Sequence, residues 1–157
     1  MSDTKLRVRK ATAILKEDHE AVKKLFQDYE ELDDSEGRGR DALFEQIKTL
    51  LTIHAQIEEE IFYPACERAD DEEAGDLVRE AREEHRVVKT LLDELSALTP
   101  GEDRFESKMK VLQENVLHHA EEEQNEIFPV FDELDRAKRD RVAEMLESRK
   151  RELEGEE

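Results

Sequence analysis

The chain has 157 residues, enough for one domain that buries about two-thirds of its unfolded surface. Its formal charge of −19 would be repelled by a phosphate backbone and so argues against a nucleic-acid partner. No apolar run approaches the ~20 residues that span a bilayer, and the single cysteine, Cys66, has no internal partner, so the expected location is a reducing cytoplasm.

Few aromatics and abundant Glu, Lys, Arg, Leu and Ala favour an all-α chain. Residues 1–11 form a charged tail whose basic cluster, Lys5, Arg7, Arg9 and Lys10, reads as a solvated leader. A first helix is expected from Thr12 to Leu32, with the stripe Leu15, His19, Val22, Phe26 and Tyr29. The segment from Asp33 to Gly39 breaks it, as small polar residues with two glycines should. The second stripe is Leu43, Ile47, Leu50, His54, Ile57 and Ile61, from about Arg40 to Cys66. Ala69 to Gly75 reads as an acidic loop. Val78, Ala81, His85, Val88, Leu92 and Leu95 form a third stripe, closed by Thr99-Pro100-Gly101. The fourth runs from Asp103 to Leu134 through Phe105, Met109, Leu112, Val116, His119, Glu123 and Ile127.

Short connections make successive helices antiparallel, so residues 12–134 are expected to form an up-down-up-down four-helix bundle. Such regular stripes argue against the disorder that so high a charge density otherwise permits. Residues 135–157 are a highly charged extension, with a short fifth helix from Asp140 to Leu153 whose end frays.

One segment occurs twice. HAQIEEEIFYP runs from His54 to Pro64, and HAEEEQNEIFP from His119 to Pro129. Each carries a histidine and a glutamate four residues apart, His54 with Glu58 and His119 with Glu123, which places them on one helix face. Upstream of each lies a further histidine in a matched setting, EDHEAVKKLF around His19 and EEHRVVKTLL around His85.

A single histidine on an apolar stripe is most simply a hydrogen-bonded core residue. Four of them in four helices, two paired with in-register glutamates, are another matter. Burying two carboxylates and four imidazoles without a cation costs several kcal/mol per charge, and a bound metal pair reverses the sign. Six ligands in two symmetric sets fit two metals, with Glu58 and Glu123 bridging. Nitrogen and carboxylate donors without thiolate suit iron, manganese or zinc. By the same reading, His118, about 100° around its helix from His119, lies on the surface or beside a ligand. Glu59, Glu60, Glu121 and Glu122 belong to a solvated face, and Glu126 lies outside the cluster. Cys66 is a buried thiol, Tyr29 and Tyr63 are expected to pack between helices, with hydrogen bonding near the site as the alternative, and Pro64 and Pro129 kink or end theirs.

These motifs, DHE around His19, HAQIEEEIFYP, EEH ending at His85 and HHAEEEQNEIFP, resemble the hemerythrin-like, or HHE cation-binding, domain family over about Ile14 to Leu134. The resemblance implies a four-helix bundle around a non-haem di-iron site, bridged by oxide or hydroxide when oxidised. His19 and His54 would hold one iron, His85 and His119 the other, and both glutamates would bridge. Oxygen-carrying members add a second histidine one turn from the position of His85. Ala81 and Lys89 stand there, so the second iron is expected to be less saturated and oxygen carriage is put in doubt. The function so implied is binding or reduction of a small oxidant, namely dioxygen, peroxide or nitric oxide. The alternative is an iron or oxygen sensing module, or an iron store or donor, without turnover.

Overall fold

The structure, a computed structural model, describes residues 9–32, 37–69 and 72–155. Five helical stretches account for nearly all of it. Helix α1 is Ala11–Glu30. Helix α2 is Gly37–Ile57, continued by a π-helical turn, Glu58–Phe62, and an α-helical end, Tyr63–Glu67. Helix α3 is Glu72–Ser96. Helix α4 is Asp103–Glu122, again continued by a π-helical turn, Glu123–Ile127, and an end, Phe128–Asp132. Helix α5 is Arg136–Leu153. Among the described residues, no helix is long and apolar enough to cross a membrane.

Two apolar clusters fill the interior, one at each end of the bundle. The first gathers Ile14 and Leu15 from the start of α1, Phe62 and Tyr63 from the end of α2, Val78 from the start of α3 and Phe131 from the end of α4. Beginnings and ends alternate in that cluster, so the four helices run up, down, up and down. The opposite end is packed by Phe26, Phe44, Ile47, Leu95, Phe105 and Leu112. Between the clusters lies one polar layer, because each of helices α1 to α4 interrupts its stripe with a buried histidine at the same height.

Several boundaries differ from the sequence reading. Helix α2 begins at Gly37, so Gly37 and Gly39 lie inside its first turn rather than in the break. The first N–H groups of a helix have no internal partner, and glycine is tolerated there. Helix α3 likewise begins at Glu72, which turns most of the expected acidic loop into a first turn whose Glu72 and Glu73 face the positive end of the helix dipole. Asp33 to Glu36, Asp70 and Asp71 lie outside the described residues, as do Lys5 and Arg7 of the basic tail. Arg9 is described, and it pairs with Glu17 and Glu147 instead of standing free in solvent. After α3 the turn passes through Gly101 at φ 99°, a left-handed conformation that suits glycine.

Pro64 and Pro129 do not end their helices. Proline lacks an N–H, and its ring crowds the carbonyl four residues back, so a regular helix cannot pass through it unchanged. Each helix widens instead: the Tyr63 N–H reaches the Glu58 carbonyl, and the Phe128 N–H reaches that of Glu123, both five residues back. The helices then resume with proline in the first turn.

Helix α5 is longer than expected and is held at both ends. The Asp135 side chain caps it, accepting the Lys138 N–H at 2.9 Å. Val142, Ala143 and Leu146 bury against α1 and α2. Its charged end is anchored rather than frayed, since Arg149 pairs with Glu60 at 2.9 Å and Lys150 with Asp18 at 2.8 Å.

Candidate metal centre

All six residues singled out from the repeat meet in the polar layer. Glu58 and Glu123 have no solvent exposure, and His19, His54, His85 and His119 are buried. Each glutamate stands between one histidine of each half. Glu58 places Oε2 3.3 Å from His54 Nε2 and Oε1 3.0 Å from His85 Nε2. Glu123 places Oε1 3.1 Å from His19 Nε2 and Oε2 3.5 Å from His119 Nε2. The imidazoles pair off, His19 with His54 at 5.0 Å between ring centroids and His85 with His119 at 4.9 Å. Two groups of donor atoms result, each able to surround one ion: His19, His54, Glu58 and Glu123, and Glu58, His85, His119 and Glu123. Both glutamates belong to both groups.

Every outer imidazole nitrogen is also held. His54 Nδ1 lies 2.8 Å from Asp18, His119 Nδ1 2.5 Å from Glu84, His85 Nδ1 2.7 Å from Glu59, and His19 Nδ1 2.8 Å from Gln124 Oε1. Partners of this kind fix the tautomer that points Nε2 inward and set its basicity. They follow the repeat. Asp18 and Glu84 each directly precede the lone histidine of their half, and Glu59 and Gln124 each directly follow the buried glutamate. Glu59 is exposed, as expected, and from the widened turn that begins at Glu58 its Oε2 also reaches His85. Matched positions in the two copies were the available signal for all four.

The remaining expectations divide. Glu60 pairs with Arg149 and Glu121 is exposed, as expected. His118 is exposed and pairs with Glu122 at 3.0 Å. Glu126 is exposed, Cys66 is buried, and Tyr29 sits at the far end of the bundle with its hydroxyl on Glu106. Tyr63 follows the alternative to simple packing: its hydroxyl enters the polar layer and meets Glu58 and Glu123. On a regular helix Tyr63 would stand about 140° around from Glu58. The widened turn removes most of that offset and points the phenol at the site.

Electrostatics within the layer work against burial. Burial alone would lower the pKa of His54, but Glu58 and Asp18 hold it well above the ordinary imidazole value. His119 opposes burial in the same way through Glu123 and Glu84 and is raised to about 10. His85 is raised by Glu58 and Glu59, again against burial. Burial would raise Glu58, yet the neighbouring imidazoles hold it well below the carboxylate range. Protons on imidazole therefore supply the positive charge that two buried carboxylates require. Even so, His54 Nε2 and Glu58 Oε2 make no hydrogen bond, although they are buried side by side. A cation between them would satisfy both atoms, so the donor set fits a bound metal.

The hemerythrin HHE cation binding domain matches residues 10–131. This chain belongs to that family. A crystal structure of a hemerythrin HHE cation binding domain-containing protein from Mycobacterium kansasii superposes with a TM-score of 0.80 at 27% identity, covering 94% of this chain and 88% of that one. A protein of Nostoc sp. named a DNA nickase is 30% identical over 115 residues, which is 73% of this chain and 31% of the Nostoc protein. This chain therefore spans under a third of that relative. Membership of the HHE family implies binding of a metal cation, and the buried histidine and glutamate groups are donors of the kind such binding needs.

Proposed function

We propose that this HHE domain holds two iron ions and uses them to bind or reduce a small oxidant: dioxygen, peroxide or nitric oxide. The carrying observation is that two four-donor groups share both of their glutamates. Shared carboxylates hold two cations close enough to act on one small molecule. His19 and His54 belong to the first ion, His85 and His119 to the second. Nitrogen and oxygen donors without thiolate fit iron, and iron when bound supplies the electrons that oxidant reduction needs.

The chain's own residues shape access. On the histidine face lies a cavity of about 40 Å³, lined by Val22, Leu50, Leu51, Val88 and Val116 above the four imidazoles. It has room for a diatomic or triatomic guest but not for an organic substrate, whose pockets run to hundreds of Å³. Its aliphatic walls keep bulk water from the ions and favour an apolar gas. The nickase named in the Nostoc relative is not part of this reading, because a charge of −19 opposes a DNA substrate at this domain.

The test is to load the protein anaerobically with ferrous iron, confirm two irons per chain, and mix it with each oxidant in a stopped-flow spectrometer. An iron-linked absorption change is expected with at least one; none with all three would refute the proposal. A second reading, iron sensing or storage, draws on Lys150, which connects α5 to Asp18 and so to His54. Metal occupancy would then change hydrogen-exchange protection in α5. Equal protection with and without iron removes that reading.

A further inference from the structure

We propose that Glu84, His118 and Glu122 form a separate divalent-cation site on the surface between α3 and α4, coupled to the buried centre through Glu84. One donor atom from each of the three lies within 4.8 Å of the others. His118 and Glu122 stand four residues apart on α4, with His118 Nε2 3.0 Å from Glu122 Oε2. That is the spacing of the buried pairs, His54 with Glu58 and His119 with Glu123, turned one residue around the helix. Glu84 reaches them from α3. Nitrogen and oxygen ligands bond to such an ion at about 2.0–2.2 Å. Small rotations of partly exposed side chains therefore bring all three donors onto one ion, and water fills its remaining positions.

The two halves of the molecule supply an independent reason. Asp18 and Glu84 occupy matched positions, and each holds the outer nitrogen of a buried imidazole, Asp18 that of His54 and Glu84 that of His119. In the first half a protein cation completes the arrangement, since Lys150 of α5 lies 2.8 Å from the other Asp18 oxygen. Helix α5 packs on α1 and α2. Among the described residues, no lysine or arginine pairs with Glu84 or Glu122. Where the first copy has Ile53 and Ile57, the second has His118 and Glu122. Metal-binding side chains thus stand where the second half lacks a protein cation. Two neighbouring carboxylates repel each other, and a divalent ion between Glu84 and Glu122 relieves that repulsion.

One imidazole and two carboxylates without thiolate suit zinc, manganese or ferrous iron and disfavour copper(I). His118 is exposed, so the ion is reached directly from solvent, and the −19 charge of the chain concentrates cations around it. Coupling follows from the shared carboxylate. A cation on Glu84 draws its charge outward and weakens it as the acceptor for His119 Nδ1, which makes His119 a poorer ligand for the centre. Repulsion between the two cations acts in the same direction. Filling the surface site therefore loosens the second buried ion, and filling the centre loosens the surface ion by the same factor. The coupling rests on the two-metal reading above; the surface site does not.

Zinc ions, which are diamagnetic, test both parts. Chelator-treated wild type, His118→Ala and Glu122→Gln are titrated with zinc by calorimetry, and the imidazole nitrogens are followed by NMR. Wild type should bind two ions tightly and a third more weakly, and the third should shift the signals of His118 and of His119. Both variants should keep the first two ions and hold the third at least about tenfold more weakly. His118 is exposed, so circular dichroism should show the fold of His118→Ala unchanged. A wild type without the weak event, or one held equally by both variants, overturns the surface site and leaves the two-metal reading standing. A weak event that shifts His118 but not His119 overturns the coupling alone. Variants that lose the weak event and retain fewer than two ions bear out the surface site and overturn the two-metal reading.

Discussion

Taking the metal-free protein from pH 7 to pH 9 should remove roughly 2–3 kcal/mol of stability through His119 alone. Its pKa is raised to about 10 in the folded chain, against about 6.5 when unfolded, and each unit is worth about 1.4 kcal/mol. Because the folded value is the higher one, the stabilisation is fully present below about pH 6.5 and disappears as pH rises through about 10. At pH 7 it amounts to about 4 kcal/mol, and at pH 9 only about 1–2 kcal/mol remains. His54 and His85 are raised as well and act in the same direction. Urea unfolding of chelator-treated protein at the two pH values measures the loss, and His119→Gln provides the comparison, since it keeps a polar side chain but cannot titrate. The variant should show a pH dependence flatter by roughly 2–3 kcal/mol. A wild type equally stable at both values would refute the idea that imidazolium protons balance Glu58 and Glu123. The iron-loaded protein should behave oppositely, with metal affinity rising over the same range as competing protons leave.

Asp18→Asn keeps the shape of the side chain but weakens the acceptor for His54 Nδ1 and strands Lys150. Metal affinity measured by equilibrium dialysis should fall about 10–100-fold, and an unchanged value would show that Asp18 does not orient the imidazole. Leu146→Ala removes a fully buried side chain of α5 and should cost about 2–5 kcal/mol in urea unfolding. A cost under about 0.5 kcal/mol, the range of ordinary surface changes, would mean that α5 does not pack on the bundle in solution.

Periodicity and the duplicated segment carried the residue-level argument a long way. An apolar stripe that repeats every three to four residues has to face a core, so the four bundle helices and their order were legible without coordinates. The six-residue cluster was legible for a related reason. A histidine or glutamate on such a stripe is forced inward with its neighbours, and up-down packing then brings equivalent heights together. Asp18 and Glu84 also sat in matched places, but nothing in one helix says which side chain its neighbour will offer to an imidazole nitrogen. That choice belongs to the packing of α1 against α2 and of α3 against α4.

The sequence by itself determined the inward face of each helix and how the two halves correspond, because spacing along one helix sets which side turns to the core, but only the structure buries Phe44, Leu51 and Phe62 more deeply than the expected Leu43, Leu50 and Ile61. Tertiary structure alone decided the phase after each proline, and with it the position of Tyr63. A helix that meets proline can end, kink or widen, and these outcomes differ by interactions with the other helices rather than by local preference. Widening keeps Phe62 and Phe131 in contact across the end of the bundle, with ring centroids 4.9 Å apart, and turns the phenol into the polar layer. The placement of α5 was decided the same way, since Lys150 meets Asp18 only when both helices are folded.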